Sequence, residues 1–316
     1  MTTLLALSLA CACTKAGEPA KQETDVQAAR EAAMISRGLP SQMTPYLAEI
    51  QRSRMRAIVA LPHKRSGTAP WVSKFRGLPY MPTSMEYPRD PEGNNLAMLV
   101  QINFEEMPPL DGFPSTGILQ FFVSGSEDHG HALGMPIRRP QSQPGNFDAL
   151  RGSKYFRVLY HPTVVKDRAA LLRTTPPVPD WRLPIQEEAS LSFEHHLSYV
   201  RTGDYRFARF FGKDFYDFYR TTLREDVNAV NDYWQLSEGR FLLQLSGYSR
   251  TELGYDPRIE RRNEDWLVLL SIDSYGPSQG GVTVEWGDGG VANLWIRRED
   301  LAKRDFSNVA YYWDGG

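Results

Sequence analysis

Two stretches of this chain repeat one another at a nearly constant offset, and any fold must accommodate both copies. Gly77, Leu99 and Ile102 recur as Gly247, Leu269 and Ile272, each 170 positions on, and Gly117 recurs as Gly290, 173 positions on. The strings LAMLVQIN (96–103) and GILQFFV (117–123) answer to WLVLLSID (266–273) and GVANLWI (290–296). Preserved order at preserved spacing marks one supersecondary unit used twice. The expectation is an α+β fold of twisted, mostly antiparallel sheets in two pseudo-repeated halves, residues 55–173 and 185–316. Residues 174–184 carry four prolines, favour extended geometry, and form the boundary.

The rest of the chain follows from local signals. Residues 25–37 have helical spacing and stop at Gly38-Leu39-Pro40, and Thr44-Pro45 opens a second helix that runs to residue 54. Apolar runs at 57–61, 96–104, 117–124, 155–161, 191–200, 240–245, 266–273, 282–286, 291–296 and 309–313 read as strands. A short helix at 299–304 precedes the last of them. Between 206 and 231, Phe207, Phe210, Phe211, Phe215, Phe218 and Tyr219 fall near the helical period. That aromatic stripe predicts one helix with its face in the core.

Charge and cysteine usage narrow the function classes. With 36 basic and 38 acidic residues the net charge is -2, and the local basic clusters sit among carboxylates or prolines. No electrostatic footprint for nucleic acid exists, so none is expected as a partner. Both thiols, Cys11 and Cys13, lie in the first 13 residues, so the body holds no disulfide and no thiolate metal site. Residues 4–12 (LLALSLACA) are too short to span a bilayer and read as a signal or lipoprotein-like segment (1–13). In that reading Cys11 is the lipidation candidate, residues 14–40 are a tether with an N-terminal helix, and 41–316 are the body. The expected location is the bacterial cell envelope, with membrane contact only through that anchor; the alternative is cytoplasmic.

Two catalytic motifs match by letter and fail by context. Gly276-Pro277-Ser278-Gln279-Gly280 has the spacing of a nucleophile elbow, which needs a helix after the serine; here another strand is expected. Gly287-Asp288-Gly289-Gly290-Val291-Ala292 fits a dinucleotide fingerprint but opens a strand, so it reads as a hairpin turn. His129 and His131, beside Asp128, are weak metal candidates, and His195 and His196 are sent to opposite faces by a strand.

The stretches at 78–90 (LPYMPTSMEYPRD), 99–122 (LVQINFEEMPPLDGFPSTGILQFF) and 286–314 (WGDGGVANLWI to DFSNVAYYWD) resemble the YwqG-like family of bacterial proteins of unknown function. The resemblance covers more than three quarters of the chain. It implies an α+β fold with twisted antiparallel sheets in two related halves, and it implies no activity, catalytic residue or cofactor. Within the resembling motifs, Gln101, Asp273, Trp286 and Asp288 are the candidates to line a groove between the halves. The expected function is a non-catalytic module that recognises a protein or polymer through an aromatic-rich surface, since 15 Phe, 15 Tyr and 7 Trp supply contact area as well as core. An immunity-like role falls in this class. The alternative is a hydrolase or metal-dependent enzyme using the His129/His131 loop or carboxylates that the sequence leaves unplaced. No cofactor is expected.

Overall fold

Aliphatic runs in this chain become strands, most of them covered on both faces. The computed structural model describes residues 39–126, 131–136, 147–152, 154–179, 183–237, 241–252, 254–276 and 282–315. A 3₁₀ turn at Ser41–Tyr46 runs into helix α1 (Leu47–Arg52), followed by β1 (Met55–Lys64), β2 (Lys74–Phe75), β3 (Ala97–Asn103) and β4 (Ile118–Val123). A small ribbon of β5 (His131–Ala132) and β6 (Met135–Pro136) precedes β7 (Phe156–His161) and β8 (Ala189–Ser198). Then come helices α2 (Phe207–Phe211), α3 (Phe215–Thr221) and α4 (Val227–Ser237). Strands β9 (Leu243–Ser246), β10 (Trp266–Asp273) and β11 (Val291–Arg297), helix α5 (Arg298–Lys303) and strand β12 (Ala310–Asp314) complete the chain.

Ten strands form one sheet in the order β12-β11-β10-β9-β1-β8-β2-β3-β4-β7, all pairs antiparallel. This corrects the expected plurality of sheets, and the reason lies in the centre. Strands β1 and β8 pair along ten residues, from Met55 opposite Ser198 to Lys64 opposite Ala189. Strand β1 also pairs with β9, and β8 with β2, so each half of the chain hydrogen-bonds into the other. Both edges of β1 and of β8 are therefore paired, and the two halves join in one continuous sheet.

The sheet curls until its two edges meet. Phe156 of β7 lies with its ring 5.1 Å from Tyr311 of β12, and Tyr311 is also 5.0 Å from Phe121 of β4. The β5–β6 ribbon helps to close the gap: the Tyr311 hydroxyl donates to Leu133 O at 2.8 Å and the Trp313 indole to Ala132 O at 3.1 Å. The main apolar core fills the interior of this curl, with Phe75, Leu99, Ile102, Phe121, Leu269, Ile272 and Trp295 inside it. Because core lies on one side and loops on the other, β3, β4, β10 and β12 are buried along their whole length.

A second apolar cluster sits where α1 to α4 pack beside Tyr199, Val200 and Tyr248. The aromatic stripe does supply it: Phe207, Phe211 and Phe218 are buried, and Phe210, Phe215 and Tyr219 pack against them. The single helix expected at 206–231 is three helices instead. Gly212 takes φ 75° and closes α2 with a left-handed cap, a conformation that costs glycine little. Asp214 then restarts the chain by accepting the Asp217 N–H at 2.8 Å. Residues 282–286 form no strand, only isolated bridges from Val284 to Tyr275 and Ile185. The expected helix at 25–37 lies outside the described residues.

Candidate functional site

The connection from β1 to β2 occupies residues 65–73, whereas that from β8 to β9 occupies 199–242 and holds all of α2, α3 and α4. This long connection and the loop at 250–259 enclose a cleft of ≈ 1210 Å³. Thr202, Gly203, Asp204, Tyr205, Phe207 and Ala208 line it from the start of the insertion; Asp214 caps α3, and Phe215, Tyr216, Asn231, Trp234 and Gln235 come from α3 and α4. Arg250, Thr251, Glu252, Tyr255, Asp256 and Ile259 form the facing wall.

Local rules place these side chains. Asn231, Trp234 and Gln235 stand three and four residues apart, so α4 presents them on one face, while Val230, Tyr233 and Ser237 go to the core. Asp226 fixes the start of α4 by accepting from Asn228 N at 3.0 Å and Ala229 N at 3.3 Å. The Trp234 indole N–H donates to Thr202 Oγ1 at 3.0 Å, which holds the ring while leaving it 42% exposed. Tyr216, at the capped first turn of α3, is 67% exposed, and Ile259 across the cleft is 47% exposed. Large apolar side chains in water are otherwise sparse among the described residues, and three of the seven border this one cavity.

Beneath the cleft lies a buried ionic cluster. Arg258, with no exposed side-chain surface, donates to Asp204 Oδ2 at 2.8 Å and to both oxygens of Asp256 at 3.0 and 2.7 Å. Its guanidinium stands 5.2 Å from the Tyr205 ring and 5.3 Å from that of Trp295. Arg206 grips Asp204 with two bonds at 2.8 and 2.7 Å and lies 4.3 Å over the Tyr248 ring. Burial pushes the Asp204 carboxyl up, but the charges and hydrogen bonds of Arg206 and Arg258 outweigh it and hold the group well below the usual carboxylate range. Two carboxylates and two guanidiniums therefore neutralise each other inside the protein. On the opposite wall Arg250 is ion-paired with both Glu252 and Asp273. Burial raises the Asp273 carboxyl, and the Arg250 charge offsets this only in part.

The four groove candidates do not share one place. Gln101 is fully buried and spends its amide on backbone: Nε2 donates to Pro70 O and Val72 O at 2.7 Å each, and Oε1 accepts from Tyr80 N and Gln120 Nε2 at 2.8 Å each. Trp286 is also fully buried, its ring 6.2 Å from Trp313. Asp288 is exposed in the turn before β11. Asp273 alone reaches the cleft lining, through Arg250. Cys11 and His129 lie outside the described residues, as does the His131 side chain, and the described residues contain no group of three or more metal-ligating side chains. Ser278 is likewise outside them; the chain on its far side returns to pair Val284 with Tyr275 and contains no helix there.

One serine–histidine contact does exist, His63 Nε2 with Ser192 Oγ at 2.7 Å, on the exposed face of the β1–β8 pair. It lacks the rest of an acyl-transfer site. No carboxylate is bonded to the other ring nitrogen among the described residues, and the neighbouring backbone sits in the strand ladder instead of offering free N–H groups. His195 and His196 do take opposite environments: His195 is exposed, while His196 packs 4.2 Å from Phe241. The cleft itself was missed in the sequence because α4 runs to Ser237, beyond the expected helix end at 231, and the face with Asn231, Trp234 and Gln235 was thereby cut off.

A family model described as a domain of unknown function, DUF1963, matches residues 73–315. The chain belongs to the DUF1963 family. The matched span holds β2 to β12 and every lining residue of the cleft, while β1 and α1 precede it. No curated protein matches the chain. Among the described residues of this DUF1963 member, no helix is long and apolar enough to cross a membrane.

Proposed function

We propose that this DUF1963 protein, a YwqG-like member by its motifs, is a non-catalytic binding module that takes a protein or polymer ligand into the cleft between the α3–α4 face and the 250–259 loop. One observation carries this reading: the cleft exposes Tyr216 and Trp234 on helices fixed by side-chain caps, yet the charged groups around it are committed to one another or to a helix cap. Exposed aromatics held rigidly give contact area at little ordering cost. Acid–base chemistry would need a free carboxylate or an imidazole; no histidine lines the cleft among the described residues, and its carboxylates are engaged, Asp204 and Asp256 by Arg258, Glu252 by Arg250 and Asp214 by the α3 cap.

The expected duplication supports the same assignment. Exchanging the first five large-sheet strands (β1, β2, β3, β4, β7) with the last five (β8 to β12) turns the observed strand order into its own reverse. Bulges fall between Met98 and Val100 and between Val268 and Leu270, at the echoing leucines. Paired positive φ angles occur at Arg76-Gly77 and again at Ser246-Gly247. Gln120 Nε2 donates to Tyr80 O, and Asn293 Nδ2 to Arg250 O, both at 2.8 Å. On this reading the halves are copies of one unit, and the 199–242 insertion is their main departure from symmetry. Sites are commonly grafted on such departures from a scaffold.

Affinity capture tests the assignment. A partner retained from envelope extract by the parent protein and lost by a Tyr216→Ala/Trp234→Ala variant is expected; equal recovery by both would remove the cleft from consideration. The envelope address is proposed from residues 4–12 and Cys11 alone. Palmitate labelling that disappears in Cys11→Ala checks it, and an unlabelled parent rejects it.

A further inference from the structure

The cleft's chemistry narrows its occupant, given that the cleft is a binding site at all. An anionic ligand finds no uncommitted cation there: Arg250 is the single basic side chain in the described lining, and both Glu252 and Asp273 already bind it. A strongly cationic ligand fares little better, because all four lining carboxylates are engaged, Asp204 and Asp256 by Arg258, Glu252 by Arg250 and Asp214 by the α3 cap. What the cleft offers in quantity is flat aromatic surface with hydrogen-bonding groups beside it. Tyr216 and Trp234 are exposed, and Asn231 and Gln235 flank Trp234 on the same helix face. Aromatic faces carry partial negative charge and attract the weakly positive C–H groups of a sugar ring. Side-chain amides match hydroxyls as both donors and acceptors. The volume, ≈ 1210 Å³, exceeds the roughly 300–1,000 Å³ of pockets that enclose one small molecule. That favours several linked rings.

We infer that the ligand is a neutral carbohydrate chain, its rings against Tyr216 and Trp234 and its hydroxyls on Asn231 and Gln235. The inference rests on the binding-module reading and is tested apart from it. Chitotetraose, cellotetraose and maltotetraose are titrated into the full chain, and the indole N–H signal of Trp234, assigned by its loss in Trp234→Leu, is followed by NMR. Saturable movement of that signal by at least one sugar is expected. A drop in affinity of about tenfold is expected in Tyr216→Ala, with less than about twofold change as salt rises from about 0.05 to about 0.5 M. Tyr216 is exposed, so its variant folds, and Trp234→Leu keeps apolar bulk while removing the flat ring. Sugar binding that calorimetry finds equal in the two variants and the parent overturns the inference by placing the site elsewhere. So does binding abolished by salt, which would mark a charged ligand. If no sugar moves the signal while a protein captured from extract still depends on Tyr216 and Trp234, the carbohydrate assignment fails and the cleft reading survives. If neither ligand depends on them, both fail.

Discussion

Single residues carry the least replaceable interactions. Arg258 is enclosed by Asp204, Asp256, Tyr205 and Trp295, and removing its charge strands a carboxylate in the interior. Arg258→Met is therefore expected to cost about 3–5 kcal/mol, read as a lower urea midpoint, and a cost under about 1 kcal/mol would show that water reaches the cluster. His161 makes a second, pH-dependent case. Its Nε2 sits 2.9 Å from Gln120 Oε1, and the Gln120 amide already donates to Tyr80 O and Gln101, so the ring donates from Nε2. Burial lowers its pKa from 6.5 to about 4, and His196 is lowered to about 4 in the same way. The unfolded chain binds these protons first, so the stabilisation is complete above the ordinary value near 6.5 and is lost as pH falls toward about 4. The urea midpoint should fall between pH 7 and pH 4.5, and His161→Gln should flatten part of that slope; an unchanged slope would contradict the assignment. None of this was legible in the sequence, because Asp204 and Arg258 are 54 positions apart and Gln120 and His161 are 41 apart, and only the fold brings them together.

At the level of elements, local chemistry was legible and boundaries were not. The strands at 96–104, 117–124 and 266–273 follow from aliphatic runs with bulges at the echoing leucines. The stripe from Phe207 to Tyr219 was correctly placed in a core, but periodicity alone ignored Gly212 and Asp214, a stop and a start five and seven positions after Phe207. Asp214→Ala should cost about 1 kcal/mol in thermal or urea unfolding and loosen the turn that presents Tyr216. Glycine positions can be ranked as well. At Gly247, φ is 79° and an added Cβ would stand 2.6 Å from Gln244 Nε2 and 2.7 Å from Ser198 Oγ, whereas at Gly212, φ is 75° with open space. Both alanine variants share the backbone strain of about 1 kcal/mol, so Gly247→Ala should be the more destabilised of the two. Equal losses would mean that β9 shifts to make room.

Over the whole molecule, the α+β class and the mostly antiparallel pairing were readable, while the closure of ten strands into one curl was not. Pairing partners of β1 lie in β8 and β9, and hydrophobic pattern carries no record of which strand neighbours which. Tryptophan fluorescence and far-ultraviolet dichroism should report one coincident urea transition, since neither half owns a complete sheet centre. Two separated transitions would mean that the halves are independent domains. The exchange of β1 and β8 also bears on synthesis. A growing chain must carry Met55–Lys64, with its aliphatic middle, unmatched until Ala189–Ser198 and then Leu243–Ser246 have left the ribosome. Such distant pairing slows folding and leaves an apolar strand edge open to other chains until the second half of the protein has been made.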